Sequence, residues 1–159
     1  MKGLSLTISF RLRKCFTFEK FFEAALKGDR MEVWGDSTIK RDHIYIKDVL
    51  SAIEAAIRSK EAKGIYNIAT GVGYSQLDEA RALAEVLVTT TKSEVVECPK
   101  KPGLSRGYVY NIDKAKKELE WEPKYVDLID MLKDYKREWE SKEYHNYHYI
   151  REEDRPVTL

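Results

Sequence analysis

The sequence predicts an α/β or α+β domain, and three observations support this class. Short apolar runs typical of strands alternate along the chain with longer runs in which apolar residues recur every three to four positions, as in helices. Glycine and proline separate most of these runs, as expected at turns. The chain has 159 residues, which is enough for one domain with a hydrophobic core.

The first half of the chain contains three predicted strands and two predicted helices. "LSLTISF" (Leu4–Phe10) is a strand, "FEKFFEAALKG" is a helix that ends at Gly28, and "MEVWG" is a short strand that ends at Gly35. "HIYI" (residues 43–46) is a strand, and the helix after it is expected to have one inner face. That face consists of Val49, Leu50, Ile53, Ala56 and Ile57.

The second half continues the alternation. "GIYNIATG" (residues 64–71) is a predicted strand, and a helix begins at Ser75, with a capping-box spacing to Asp78. "SEVVECP" is a strand, "KKPGLSRG" a basic loop, and "NIDKAKKELEW" and "DLIDMLKDYKREWE" are helices. The inner face of the helix after Ser75 is predicted to be Leu77, Ala80, Ala84, Leu87 and Val88.

Composition excludes several classes of partner and site. The 28 basic and 27 acidic residues give a formal net charge of +1, which argues against a nucleic-acid or membrane-surface partner. No apolar run approaches the roughly 20 residues that span a bilayer. Cys15 and Cys98 are too few for a disulfide scaffold, so we expect a cytoplasmic protein. His145 and His148 have no supporting Cys or carboxylate ligands, so we expect no metal site.

The residues alone predict ligand binding without a catalytic constellation. The sequence has no glycine fingerprint of the form GxGxxG and no HExxH. Asp48 opens a predicted helix, where a carboxylate favours the positive end of the helix dipole, so we interpret it as a cap. Asp42 is expected either to orient Arg41 or to cap a turn.

Three segments, taken in order, resemble the C-terminal half of the NAD-dependent epimerase/dehydratase family. They are "FFEAALKGD…VWGDSTIKRDHIYIKDVLSAI", "GIYNIATGVGYSQLDEARALAEVL" and "KPGLSRGYVYNIDKAKKELEWEPK". This family comprises extended short-chain dehydrogenases such as UDP-glucose 4-epimerase and dTDP-glucose 4,6-dehydratase. The resemblance implies the last strands of a Rossmann-type sheet together with a small substrate-binding lobe. It assigns residues 1–143 to that C-terminal portion and residues 144–159 to a polar tail.

The resemblance also implies which functional parts to expect here. Members of the family carry a dinucleotide-binding half with the glycine fingerprint, and a catalytic Tyr-x-x-x-Lys pair with a nearby Ser or Thr. We expect neither in this chain, so we assign no catalytic residue and no cofactor bound by the chain alone. NAD is implied only for the full-length fold. The expected ligand is a UDP- or dTDP-linked sugar, and the expected partner is either a second copy of the chain or a missing N-terminal half.

The substrate-binding residues are carried over from the family. Arg41 corresponds to an arginine that pairs with the nucleotide diphosphate, and a guanidinium suits phosphate because it donates two parallel hydrogen bonds. The alternative is a surface arginine that caps a carbonyl or pairs with Asp42. Val33 and Trp34 match positions beside the nucleotide base, although Trp34 could equally be a packed aromatic residue. Lys101 and Arg106 match basic positions of a second phosphate and ribose segment.

Two functions follow from this reading. The first is the nucleotide-sugar-binding portion of an NAD-dependent sugar epimerase or dehydratase, inactive as an isolated chain. The second is a stand-alone or degenerate module that binds or interacts without catalysis.

Overall fold

The computed structural model describes residues 16–88, 91–99 and 106–141. Three predictions fall outside these ranges: the strand Leu4–Phe10, the phosphate ligand Lys101 and the polar tail 144–159. Within the described residues, no helix is both long and apolar enough to cross a membrane.

Five helices and four short strands make up the described part of the chain. In order, they are α1 (Phe16–Lys27), β1 (Met31–Val33), β2 (Lys40–Arg41), α2 (Ile46–Arg58), β3 (Tyr74–Ser75), α3 (Gln76–Val86), β4 (Val95–Glu97), α4 (Asp113–Leu119) and α5 (Leu128–Ser141). This confirms the predicted α/β class, all five predicted helices (α1 to α5) and the predicted strands β1 and β4.

The larger hydrophobic cluster lies between α1, α3, α5 and the parallel strand pair β1–β4. β1 and β4 align Met31 with Val95 and Val33 with Glu97. α1 ends where predicted, because Gly28 adopts a left-handed φ of +72° that an L side chain would strain. The buried members of this cluster are Phe21, Phe22, Ala25, Met31, Val33, Ala80, Ala82, Leu83, Ala84, Leu87, Leu128 and Leu132.

A second, smaller cluster lies between α2 and α4. Its buried members are Ala52, Ala115, Leu119 and Trp121. The indole Nε1 of Trp121 donates a hydrogen bond to Ser51 Oγ at 2.8 Å, which satisfies the polar edge of a buried ring.

Tyr45 joins α5 to the segment that precedes α2. Its ring meets the ring of Tyr125 edge to face at 5.0 Å, and its hydroxyl donates to Asp134 Oδ2 at 3.1 Å. Lys47 Nζ lies 2.6 Å from the same Asp134 oxygen, so this buried carboxylate on α5 is paired with a lysine from α2.

The interpretation of Asp48 as a helix cap is wrong. Asp48 is 2% exposed, and its two carboxylate oxygens accept hydrogen bonds from the backbone N–H groups of Lys124 and Tyr125, both at 2.9 Å. The N-cap position of α2 is occupied by Tyr45, whose side chain caps nothing. Asp48 therefore fastens the segment before α5 onto α2.

Two predicted strands, residues 43–46 and 64–71, are absent from the structure. Ile46 already begins α2, and the strand pairing lies just upstream at Lys40–Arg41. No described strand runs beside residues 64–71, and Ile65 is 88% exposed. A β-favouring sequence becomes a strand only when a neighbouring strand accepts its backbone hydrogen bonds, and neither segment has such a neighbour here.

The predicted helix faces were partly misplaced. In α2 the buried residues are Asp48 and Ala52, whereas Leu50 and Ile57 are exposed, because the helix turns its alanine side towards Trp121. In α3 the prediction omitted Leu83, which is fully buried, and included Val88, which is exposed. The capping box between Ser75 and Asp78 is confirmed, with both reciprocal hydrogen bonds present.

Candidate functional site

Asp42 holds three chain segments together next to Arg41. One oxygen of its buried carboxylate accepts hydrogen bonds from the backbone N–H (2.9 Å) and the hydroxyl (2.6 Å) of Thr70. The other accepts from the backbone N–H groups of Gly71 (2.9 Å) and Tyr110 (3.3 Å). The expectation that Asp42 caps a turn is therefore confirmed. The carboxylate fixes both the turn that leads to α3 and the segment that leads to α4.

Arg41 lies in the middle of three extended segments. It is aligned with Tyr74 in the antiparallel β2–β3 pair, and it forms a parallel bridge with Tyr108 on its other side. Backbone hydrogen bonds from Tyr108 N to Lys40 O and from Asp42 N to Tyr108 O, each 3.0 Å long, set this second pairing. The half-buried Arg41 side chain therefore projects from a backbone that is held on both sides.

Arg106 enters the same region through a close backbone contact. A Cβ atom on Gly107 would lie 2.7 Å from the carbonyl oxygen of Lys40, so only glycine lets this segment pass so near β2. Arg106, the preceding residue, is exposed. Two of the predicted phosphate ligands, Arg41 and Arg106, thus belong to neighbouring segments, while Lys101 lies outside the described residues.

Val33 and Trp34 lie at the end of β1. The side chain of Val33 is 1% exposed and packs in the larger cluster, so only its backbone could face a ligand, and its carbonyl already accepts from Cys98 N at 2.9 Å. Trp34 is 46% exposed, and its Nε1 donates to Glu32 Oε2 at 3.1 Å. Trp34 is therefore not a core aromatic residue.

An acid and an imidazole lie beside Arg41. Nδ1 of His43 is 3.1 Å from Oε1 of Glu79. Burial raises the pKa of Glu79 to about 7, although the positive charge of Arg41 opposes this rise. Burial and then the charge of Arg41 lower the pKa of His43, against a smaller opposite effect of Asp42. The His43 side chain is 40% exposed, whereas that of Glu79 is buried.

The sequence interpretation missed Glu79 and the aromatic pair Tyr108–Tyr110. Glu79 stands four residues before the buried Leu83, and this spacing alone places it on the inner face of α3. The rings of Tyr108 and Tyr110 lie 5.4 Å apart, and each residue is nearly half exposed beside β2. The alternation in "YVY" after the basic loop could have indicated that both tyrosines lie on the same side of an extended segment. Tyr66 packs against the smaller cluster and donates its hydroxyl to Glu118, while the exposed Asn67 donates its side-chain amide to the carbonyl oxygen of Asn111.

The expectation that no Tyr-x-x-x-Lys spacing occurs is wrong, because Tyr110 and Lys114 have it. In the structure Lys114 Nζ donates to the carbonyl oxygens of Lys63 and Ile65, both at 3.1 Å, and lies 4.3 Å from the centre of the Tyr66 ring. Tyr110 precedes α4 rather than lying inside a helix. The spacing therefore does not form a catalytic pair, since the lysine is committed to a neighbouring loop.

The residues 103–107, "GLSRG", have the spacing of a nucleophile elbow. An elbow needs a turn from a strand directly into a helix. After Arg106 the chain instead continues in extended form through Tyr108, and α4 begins only at Asp113. The structural context of an acyl-transfer serine is therefore missing on the described side of this motif.

The residues present do not fit a dinucleotide-phosphate loop. The short glycine pair Gly71 and Gly73 is the nearest candidate, but a Cβ on Gly73 would lie 2.7 Å from a side-chain carbon of Val109 and 3.0 Å from Cβ of Lys40. The lack of a side chain at Gly73 is therefore explained by close packing rather than by a phosphate-binding role. Across residues 16–88, 91–99 and 106–141, no three His, Cys, Asp or Glu residues come together as a metal site.

The chain is similar to known nucleotide-sugar enzymes. Residues 13–69 match the NAD dependent epimerase/dehydratase family. A UDP-glucose 4-epimerase from Corynebacterium glutamicum is 34% identical over 101 residues, which are 62% of this chain and 30% of that protein.

Two solved structures share the fold. A UDP-glucose 4-epimerase with UDP-glucose from Thermotoga maritima is 31% identical at a TM-score of 0.62, covering 77% of this chain and 39% of its own. A dTDP-glucose 4,6-dehydratase from Bacillus anthracis in complex with NAD is 25% identical at a TM-score of 0.60. The match covers 81% of this chain and 40% of the dehydratase chain. The chain thus spans less than half the length of these relatives and corresponds to part of their Rossmann-type α/β fold. Over its matched segment and in its fold, the chain is thus similar to the NAD dependent epimerase/dehydratase family.

Proposed function

We propose that this chain is the nucleotide-sugar-binding portion of an NAD-dependent sugar epimerase or dehydratase, and that Arg41 is its main phosphate ligand. The observation that carries the proposal is the position of Arg41, held between Tyr74 and Tyr108 with Arg106 on the adjoining segment. The Thermotoga maritima relative with UDP-glucose supports the class of ligand. Residues 1–143 would form this portion.

The side chains around Arg41 suit a nucleoside diphosphate. Arg41 and Arg106 supply positive charge from two neighbouring segments, and a guanidinium can bind a phosphate with two hydrogen bonds. Trp34, which is partly exposed at the other end of the turn that leads into β2, is the proposed neighbour of the pyrimidine base. In this arrangement the diphosphate lies at β2 and the base lies towards the end of β1.

Replacing Arg41 by alanine should weaken UDP binding by about tenfold to a hundredfold, because a charge-assisted hydrogen bond contributes about 1.5–3 kcal/mol. Arg41→Lys should recover only part of the affinity, since the forked geometry is lost. Calorimetry with UDP, UMP and uridine measures the effect, and the parent chain should bind UDP more tightly than uridine.

The matched control is Arg58→Ala. Arg58 is an exposed arginine in the last turn of α2, where it pairs with Glu54 at the surface, so this variant should bind UDP like the parent chain. Equal UDP affinity in Arg41→Ala and in the parent would show that Arg41 is only a structural residue of β2. Equal affinity of the parent for UDP and uridine would show that the site does not recognise phosphate.

The chain alone should not turn over UDP-glucose or dTDP-glucose, even with NAD added. It has no glycine fingerprint to hold the dinucleotide, and the lysine of its one Tyr-x-x-x-Lys spacing is bound to the carbonyls of Lys63 and Ile65. A coupled assay with the Corynebacterium glutamicum epimerase as positive control measures this. Turnover by this chain above the buffer background would contradict the proposal that the chain binds the nucleotide-sugar without catalysing its conversion.

A further inference from the structure

Glu79 is a buried acid that contacts the imidazole of His43. It lies in the first turns of α3, is 6% exposed, and contacts His43 Nδ1 at 3.1 Å. At this distance one proton can be shared between the carboxyl oxygen and the ring nitrogen. With that proton the pair is neutral overall; without it the pair carries one negative charge.

The pair shares a side of the chain with Arg41. Alternate residues of an extended segment point the same way, so Arg41 and His43 lie on one side of β2 and its continuation, opposite Asp42. The β2–β3 pairing brings Arg41 next to Tyr74, directly before the helix that carries Glu79. The charge of Arg41 acts on both members of the pair and lowers the pKa of each.

The acids that act on the pair, Asp42 and Asp78, are already engaged, and so is the buried acid on the neighbouring helix α5. Asp42 is held by the backbone of Thr70, Gly71 and Tyr110, and Asp78, on the helix of Glu79, closes the capping box with Ser75. On α5, which packs against α3, the buried Asp134 is paired with Lys47. Arg41 is therefore the group whose partner can change when the pair gains or loses its proton.

We propose that the His43–Glu79 pair positions Arg41 and makes the anion site at Arg41 depend on pH. This inference rests on the proposed function. When the pair holds its proton and is neutral, the guanidinium is free for a ligand phosphate. When the pair has lost the proton, its negative charge attracts the guanidinium and repels the diphosphate. His43 and Glu79 are thus positioning residues that act through Arg41.

The direction of the pH effect follows from the pKa of Glu79. Burial raises this pKa to about 7, so the pair is neutral below that pH and becomes negative above it. Anion affinity should therefore be high near pH 6 and fall by pH 8. One added charge a few ångströms from the diphosphate, in partly screened surroundings, corresponds to a change of about threefold to tenfold.

UDP-glucose is the probe, because both of its phosphates keep their charge throughout this pH range. Calorimetry at pH 6 and pH 8 should show the threefold to tenfold loss for the parent chain, and Glu79→Gln should bind equally well at both values. The matched control is Glu85→Gln, an exposed position on the same helix, which should keep the pH dependence of the parent. In the parent chain, NMR should show His43 and Glu79 titrating together, with a midpoint that UDP-glucose raises, since coupling is reciprocal.

The outcomes separate this inference from the proposed function. If UDP-glucose binds with the same affinity at both pH values, or if Glu79→Gln keeps the pH dependence, the role of the pair is overturned while the site at Arg41 stands. If the parent chain binds no UDP-glucose at either pH, the proposed function fails and the role of the pair fails with it. If Glu79→Gln does not fold, a His43 titration that UDP-glucose leaves unchanged overturns the inference.

Discussion

Replacing Asp42 by alanine is expected to lower the free energy of unfolding by about 3–5 kcal/mol. The Asp42 carboxylate is 7% exposed and accepts four hydrogen bonds, three of them from backbone N–H groups. Alanine would leave those groups without an acceptor in a place that water reaches poorly. A loss of this size is a large fraction of the stability of a small domain.

Urea unfolding followed by circular dichroism measures this loss. Asp42→Asn keeps the shape and one acceptor oxygen but turns an amide N–H₂ towards backbone donors, so it should also be destabilising, by less than alanine. The control is Asp130→Ala, since Asp130 is exposed on α5 and faces Lys133 at 3.7 Å; it should change stability by less than about 0.5 kcal/mol. If Asp42→Ala and Asp130→Ala unfold at the same urea concentration, Asp42 does not hold the three segments together.

Replacing Asp48 by alanine should lower the free energy of unfolding by about 2–4 kcal/mol. Its carboxylate is almost fully buried and accepts hydrogen bonds from Lys124 N and Tyr125 N. The effect should be concentrated where these bonds end. We therefore expect the segment before α5 to open more readily than the rest of the fold.

Amide hydrogen exchange locates that opening. In Asp48→Ala the amides of Lys124 and Tyr125 should exchange much faster than in the parent chain. The exchange rates of amides within α3 should change only as much as the global stability does. Glu54→Ala is the control on the same helix, because Glu54 is exposed and pairs with Arg58 at the surface. Unchanged exchange at Lys124 and Tyr125 in Asp48→Ala would contradict the role assigned to this carboxylate.

The elements that the sequence predicted well are those defined by local pattern. α1, α3 and α5 follow from apolar spacing, and the start of α3 follows from Ser75 and Asp78, three residues apart. β1 and β4 follow from short apolar runs that end in glycine or proline. In each case the interactions that decide the structure lie within one or two turns of the chain.

The predictions that failed depend on partners far away in sequence. Asp48 is a residue type that often caps helices. It is a buried acceptor here because Lys124, far away in sequence, packs against it and donates a backbone hydrogen bond. The segment 64–71 has a β-favouring composition, but no neighbouring strand among the described residues pairs with it. Glu79 is an acid on an inner helix face, and its partner His43 lies in another element.

The candidate site is predicted in part. The importance of Arg41 came from a family resemblance, whereas its pairing with Tyr74 and Tyr108 could be found only in three dimensions. Val33 shows the opposite case: its position in the sequence suggested contact with a base, and its side chain is buried in the core. Trp34 is exposed, so its role as a base-stacking residue stays a prediction.

The parallel pairing of β1 with β4 has a consequence for how the chain folds. Met31 is aligned with Val95, so this pair closes a loop of about 60 residues, with an entropic cost of about 4 kcal/mol before any contact compensates. Three residues on each side cannot offset that cost alone. α3, which contacts both strands, has to be in place first. We therefore expect α3 to form and dock before the two strands pair, and we expect the strand pair to be lost when α3 unfolds.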